Sequence, residues 1–176
     1  MEDSIKDSAC LTGADMKKDN NEIQSEEFIC QDNLTYDIWK SLELKEVNPR
    51  QLSPLVLAYI GDSIFDLVVK TMIVTKGNTQ VNKMNRVASS IVKAESQSKM
   101  IGYLEEKLTE EEESVYKRGR NAKSYTSAKN ASISDYRRAT GFEALMGYLY
   151  MSGEYKRMCE LVKNALDYLE SEKSGK

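Results

Sequence analysis

Two carboxylates stand where the surrounding pattern calls for apolar side chains. Asp62 lies in Ala58-Tyr59-Ile60-Gly61-Asp62-Ser63-Ile64-Phe65. Glu143 lies in Thr140-Gly141-Phe142-Glu143-Ala144-Leu145-Met146-Gly147 and is the only charge between Arg138 and Glu154. An ionised carboxylate inside an apolar helix is costly unless it is paired or bound to a cation. Two of them brought side by side from separate helices repel unless something positive sits between them. Oxygen ligands suit a hard divalent cation such as Mg²⁺, with Mn²⁺ as a substitute. Asp66, one helical turn after Asp62, is a further candidate ligand on the same face. The plainer alternative is an acid that salt-bridges a neighbouring Lys or Arg, or lies on a solvated helix face; the residues alone leave both open.

A second constellation is basic. Between Lys117 and Arg138 stand Lys117, Arg118, Arg120, Lys123, Lys129, Arg137 and Arg138, against the single acid Asp135. Tyr125 and Tyr136 are interleaved, with the small donors Asn121, Ser124, Thr126, Ser127 and Asn130. Cations that neutralise phosphates, with hydroxyls and amides adding neutral contacts, are the makings of a surface that follows a nucleic-acid backbone. A solvated, lysine-rich loop explains the same composition. Taken together, acidic metal ligands beside a basic, glycine-punctuated loop match the needs of metal-assisted phosphodiester cleavage.

Composition narrows the field further. Histidine is absent from the 176 residues, which excludes Ser-His-Asp triads, Cys-His dyads, His-ligated zinc and imidazole bases. Cys10, Cys30 and Cys159 form no CxxC pair, so a structural zinc or iron–sulfur site is not expected, and the sparse, odd count suits a reducing compartment. The formal charge of −3 is an average over unlike parts. Residues 1–48 carry twelve acids against five lysines, a balance of −7, and the remaining 128 residues carry +4. The objection that an acidic chain avoids nucleic acid therefore does not apply to the body. Met1–Asp15 shows no basic segment followed by an apolar one, so no signal peptide is expected. The apolar stretch Leu55–Val74 carries Asp62, Asp66 and Lys70 and reads as a core helix rather than a membrane span. A cytoplasmic protein is expected.

The elements that must position these groups are helical. Residues 1–47 read as an acidic, largely disordered extension, within which Leu34, Ile38, Leu42 and Trp39 suggest a short helix over 34–44 that docks on the body. Asn48-Pro49 opens the body, residues 48–171, followed by a disordered tail over 172–176. Leu57, Ile60, Ile64, Leu67, Val68 and Met72 define a long helix with Pro54 in its first turn, closed by Lys76-Gly77-Asn78. Val81 to Val92 define a second, which either continues or breaks before Met100. Thr109 and Glu112 have capping-box spacing for a short helix toward Val115. A loop is expected from Gly119 to about Ser132, then helices over Tyr136–Met151 and Tyr155–Leu169, separated by Ser152-Gly153. No alternating run of strand length occurs. The body is expected to be all-α.

Leu57-Ala58-Tyr59-Ile60-Gly61-Asp62-Ser63-Ile64-Phe65-Asp66 resembles the signature helix of the ribonuclease III family. Lys117-Arg118-Gly119-Arg120-Asn121-Ala122-Lys123-Ser124 and Tyr136 to Tyr150 look like its Mini-ribonuclease III branch, which has the catalytic domain without a separate double-stranded-RNA-binding domain. The resemblance spans about Asn48 to Glu170. It implies an all-α, homodimeric, Mg²⁺-dependent endoribonuclease that cuts double-stranded RNA to leave 5′-phosphates and matures the large-subunit ribosomal RNA precursor, whose substrate a ribosomal protein can accompany. Asp62 and Glu143 match the family's catalytic, metal-binding acids. Arg118, Arg120, Asn121, Lys123, Ser124, Lys129 and Arg137 are the expected RNA contacts. Larger family members have acids where this chain has Ala58 and Thr140, so fewer protein ligands are available here. A dimer that binds structured RNA or a ribosomal protein without cutting is the alternative. A helical protein–protein adaptor would leave the basic run unexplained.

Overall fold

The computed structural model describes residues 34–123 and 132–174. Seven helices follow one another: α1 Leu34–Ser41, α2 Pro54–Thr75, α3 Val81–Val92, α4 Ala94–Leu104, α5 Glu110–Asn121, α6 Ile133–Met151 and α7 Tyr155–Ser174, with 3₁₀ turns at Pro49–Gln51 and Glu105–Lys107. No strand occurs among the described residues, as expected of an all-α chain. No helix among them is long and apolar enough to cross a membrane.

The helix starts are written in the sequence. Ser53 caps α2 by accepting from the Val56 N–H, with Pro54 in the first turn where a missing N–H costs nothing. The capping box before α5 is complete, with Thr109 Oγ1 accepting from the Glu112 N–H at 3.3 Å and Glu112 Oε2 from the Thr109 N–H at 2.8 Å. Ser132 caps α6 through the Asp135 N–H at 3.0 Å. Between α6 and α7 the chain turns through Gly153, whose φ of 74° a residue with a Cβ rarely adopts.

α6 is the spine of the molecule, packed against α2, α4, α5 and α7. Ten of its residues are buried on all sides of the helix, which is why its sequence shows little polar face. The core gathers Leu57, Phe65 and Val69 of α2, Met100, Ile101 and Leu104 of α4, Val115 and Tyr116 of α5, and Phe142, Leu145, Met146 and Leu149 of α6. Two glycines allow α2 and α6 to cross at backbone contact. A Cβ at Gly61 would overlap the Glu143 carbonyl, and one at Gly147 would overlap that of Leu57. Phe65 and Phe142 meet edge to face at 5.1 Å beside this crossing and set its register.

Of the two courses left open after Val92, the chain takes the break before Met100, at Lys93, which is extended (ψ 148°), with neither Gly nor Pro to announce it. Side chains of α4 satisfy the carbonyls left at the break: Ser96 Oγ donates to Ser90 O at 2.8 Å and Gln97 Nε2 to Val92 O at 2.8 Å. Several boundaries need correction: α5 runs on past Val115 to Asn121, so Arg120 and Asn121 are helical, not part of a loop beginning at Gly119. Gly119 is a packing glycine: a Cβ there would lie 2.7 Å from Ala144 Cβ and 2.9 Å from Gly141 Cα. α6 begins three residues before Tyr136, at Ile133, and α7 continues past Leu169 to Ser174, so residues 172–174 are helical rather than tail. α1 forms and ends at Ser41, but Leu34 and Leu42 stay exposed while Thr35 is buried. It lies against the body through the face bearing Thr35, Tyr36 and Trp39, beside Tyr148 and Tyr155.

Candidate active site

The α2–α6 crossing brings Asp62 and Glu143 into one electrostatic neighbourhood. Gly61, adjacent to Asp62, rests on the backbone of Glu143 itself, so contact between main chains governs where the two carboxylates stand. Glu143 is largely buried. Burial first, and then the negative charge of Asp62, push its pKa up to about 7, while a hydrogen bond from Gln97 works in the other direction. Gln97 Nε2 donates to Glu143 Oε1 at 3.1 Å. Among the described residues no Lys or Arg neutralises Glu143. The salt-bridged alternative that the sequence left open therefore does not apply to this residue. Asp62 sits at the exposed rim, where partial desolvation and then the charge of Asp66 raise its pKa.

Asp66 is engaged elsewhere, paired with Lys70 at 2.6 Å along α2. No group of three or more Asp, Glu, His or Cys side chains suited to a metal ion occurs among the described residues. Ala58 is buried in the core, and the Thr140 hydroxyl donates to the Tyr136 carbonyl at 3.0 Å, so neither position supplies a carboxylate. The donor set is thus a pair of carboxylates, all oxygen and unneutralised at Glu143. It fits a hard divalent cation that takes much of its coordination shell from elsewhere.

The basic residues divide. Arg118, Asn121, Lys123 and Arg137 are exposed, as are most side chains at the C-terminal end of α5. Arg120 is half-buried, its guanidinium 5.5 Å from the Tyr116 ring centroid. Lys117 is tied to Glu113 at 2.8 Å, and Arg138 to Glu105 at 3.2 Å. Ser124 and Lys129 lie outside the described residues, as do Tyr125, Thr126, Ser127 and Asn130. α5 carries Glu110 to Glu113 in its first turn and Arg118 and Arg120 in its last, charges that both complement the helix dipole. Gly119 seats that basic end against Thr140, Gly141 and Ala144 of α6, within a turn of Glu143.

Sequence reasoning did not find two supports of this arrangement. One is Gln97, only 1% exposed. A neutral amide flanked by Ser96 and Ser98 gives no pattern signal beyond its position three residues before the buried Met100. The other is Glu112, read only as a capping residue. It also receives a two-pronged bond from Arg157, Nε to Oε1 at 2.7 Å and Nη2 to Oε2 at 2.9 Å. Burial works to raise the Glu112 pKa, but the guanidinium and the Thr109 N–H prevail and hold it below the ordinary carboxylate value.

Fold and site together define a ribonuclease III domain, and the family model of that description matches residues 55–154. The Mini-ribonuclease 3 of Clostridium tetani is 47% identical over 129 residues, covering 73% of this chain and 85% of that one. That of Brevibacillus brevis is 46% identical over 125 residues, covering 71% and 93%. The chain belongs to the Mini-ribonuclease 3 family. A crystal structure of a Fusobacterium nucleatum protein shares the fold, with a TM-score of 0.61 at 24% identity over 67% of this chain and 94% of that one.

Proposed function

We propose that the protein is an endoribonuclease that cuts double-stranded RNA with the help of Mg²⁺, or Mn²⁺ in its place, held by Asp62 and Glu143. The observation that carries this is a largely buried Glu143 carboxylate with no cationic side chain among the described residues to neutralise it, set beside a second carboxylate across the α2–α6 crossing. Such a pair is stable in its ionised form only with a positive charge between its members. When bound, the cation lowers the pKa of a water and stabilises the charge developing on a phosphodiester. Asp66, held by Lys70, acts at most through the charge it adds to Asp62.

Arg118, Arg120, Asn121, Lys123 and Arg137, with Ser124 and Lys129 in the same run, hold the duplex by its phosphates. A-form RNA is recognised through backbone and shape rather than base edges. Val56, Tyr59, Leu67 and Val74 form an exposed apolar stripe on α2 next to Asp62, and Tyr59 is 80% exposed. This stripe supports a homodimer in which a two-fold axis assigns one site to each strand. The products carry 5′-phosphates, and the physiological substrate in this reading is the cytoplasmic large-subunit ribosomal RNA precursor, alone or with a ribosomal protein bound.

Cleavage of a long RNA duplex in Mg²⁺, compared between the protein and Asp62→Asn, tests the proposal. The variant is expected to retain fold and RNA binding and to lose cleavage by a factor of about 10²–10³, the loss typical when a transition-state charge stabiliser is removed. Undiminished cleavage by the variant overturns the assignment of Asp62. Salt-sensitive RNA binding without cleavage by the unaltered protein identifies a binding module instead.

A further inference from the structure

Gln97 stands at a junction that the cation site depends on. It belongs to the first turns of α4, is buried, and spends both amide hydrogens on acceptors from other elements: the Val92 carbonyl at the end of α3, at 2.8 Å, and Glu143 Oε1 on α6, at 3.1 Å. Its own Oε1 is buried without any hydrogen-bond donor among the described residues. With Glu143 ionised, turning the amide over would bring that oxygen against the Val92 carbonyl and the carboxylate, two acceptors that offer it no proton. Val92 therefore dictates which way the amide faces, and the amide in turn presents a hydrogen to Glu143. The fold leaves a polar atom orphaned to keep this arrangement, whereas an apolar side chain of similar volume would have filled the space with no orphan.

We infer that Gln97 is a positioning residue for the cation site, holding one oxygen of Glu143 against the α3–α4 corner so that the carboxylate presents its other oxygen in a fixed direction. The inference rests on the reading that Asp62 and Glu143 bind the cation. It gives the break at Lys93 a purpose. A continuous α3–α4 helix would pair the Val92 carbonyl with its own backbone, and the amide would lose the anchor that aims it. Partners of this kind, one bond removed from a metal, typically govern affinity by 10- to 100-fold.

Mn²⁺ binding to the RNA-free protein, followed by calorimetry and by the spin signal of unbound Mn²⁺, tests the inference. Gln97→Met keeps side-chain length while removing both hydrogens. It is expected to weaken Mn²⁺ binding about tenfold or more and to cause no further loss in a Glu143→Gln background, because it acts through that carboxylate. Wild-type affinity in a folded Gln97→Met protein overturns the inference, as does an equal loss in both backgrounds, which would mark a purely architectural role. If Gln97→Met does not fold, the side-chain amide protons of Gln97 in the unaltered protein serve by NMR. They should shift on Mg²⁺ addition and cease to respond in Glu143→Gln, and a response that persists unchanged in that variant overturns the inference. Failure of the unaltered protein to bind Mn²⁺ at all would instead remove the cation-site reading beneath it.

Discussion

Replacing Glu143 with glutamine should make the cation-free protein more stable at pH 8 and leave it unchanged at pH 4. In the folded chain the Glu143 carboxyl is pushed from its ordinary value of 4.5 up to about 7, by burial and then by Asp62. A group whose pKa is raised on folding favours the folded state while it is protonated. That contribution is complete below pH 4.5, declines as the pH rises, and is gone above about 7. Each unit of difference corresponds to ~1.4 kcal/mol. The ceiling on what the protein loses across this window is therefore about 3 kcal/mol, and less in practice because Glu143 keeps some contact with water. The glutamine of the variant cannot ionise, occupies the same volume, and can still accept from Gln97. The variant should accordingly melt several degrees higher than the unaltered protein at pH 8 in EDTA. Millimolar Mg²⁺ should narrow the gap by stabilising only the protein that retains the carboxylate. Chemical denaturation at half-unit steps from pH 4 to 8 reads the effect directly. Asp62 is also raised, so a shallower decline of the same sign should remain in the variant. Parallel curves for the two proteins across the whole range would refute the account of Glu143 as a buried, unneutralised acid.

Other expectations follow from the packing and the surface. Gly61→Ala should destabilise by about 2–3 kcal/mol in denaturant titrations, since the added methyl meets backbone rather than a side chain that can move aside; a neutral effect would mean that the helices do not cross in contact. Arg157→Met strands the buried Glu112 and should lose about 3 kcal/mol at pH 7, a loss that shrinks in acid as Glu112 becomes protonated. Tyr59→Glu should shift sedimentation toward monomer without lowering helix content. Arg118→Ala should weaken duplex binding across sequences and reduce the salt slope by about one, while an unchanged slope would exclude it from the RNA surface.

Much of this molecule can be read in the chain itself. Asp62 and Glu143 are conspicuous because charge interrupts an apolar period, and Thr109 marks a helix start through its spacing to Glu112. What eluded the sequence lies in tertiary contacts that leave no local trace. The turn at Lys93 forms because Ser96 and Gln97 supply donors from the next helix, and neither residue type is a recognised breaker. Gly119 looks like loop punctuation until α6 is seen to lie against it. Glu112 serves two partners, of which only the nearer, Thr109, is visible in the spacing. Arg157, 45 residues away, comes into reach only once α5 and α7 are folded.

The glycine crossing of α2 and α6 has a consequence for how the molecule tolerates change. Side-chain packing is compressible: a core of Leu, Ile and Met can trade volume among neighbours and drift in composition. Peptide planes in contact have no such slack. The interval between the two acids is thus a main-chain dimension, set like a mechanical stop, and repacking elsewhere in the interior should leave it untouched. A library randomised over the surrounding hydrophobic positions should yield many stable members with the acids still in register. One randomised at Gly61 and Gly147 should yield few, because there the only adjustable part is the gauge itself.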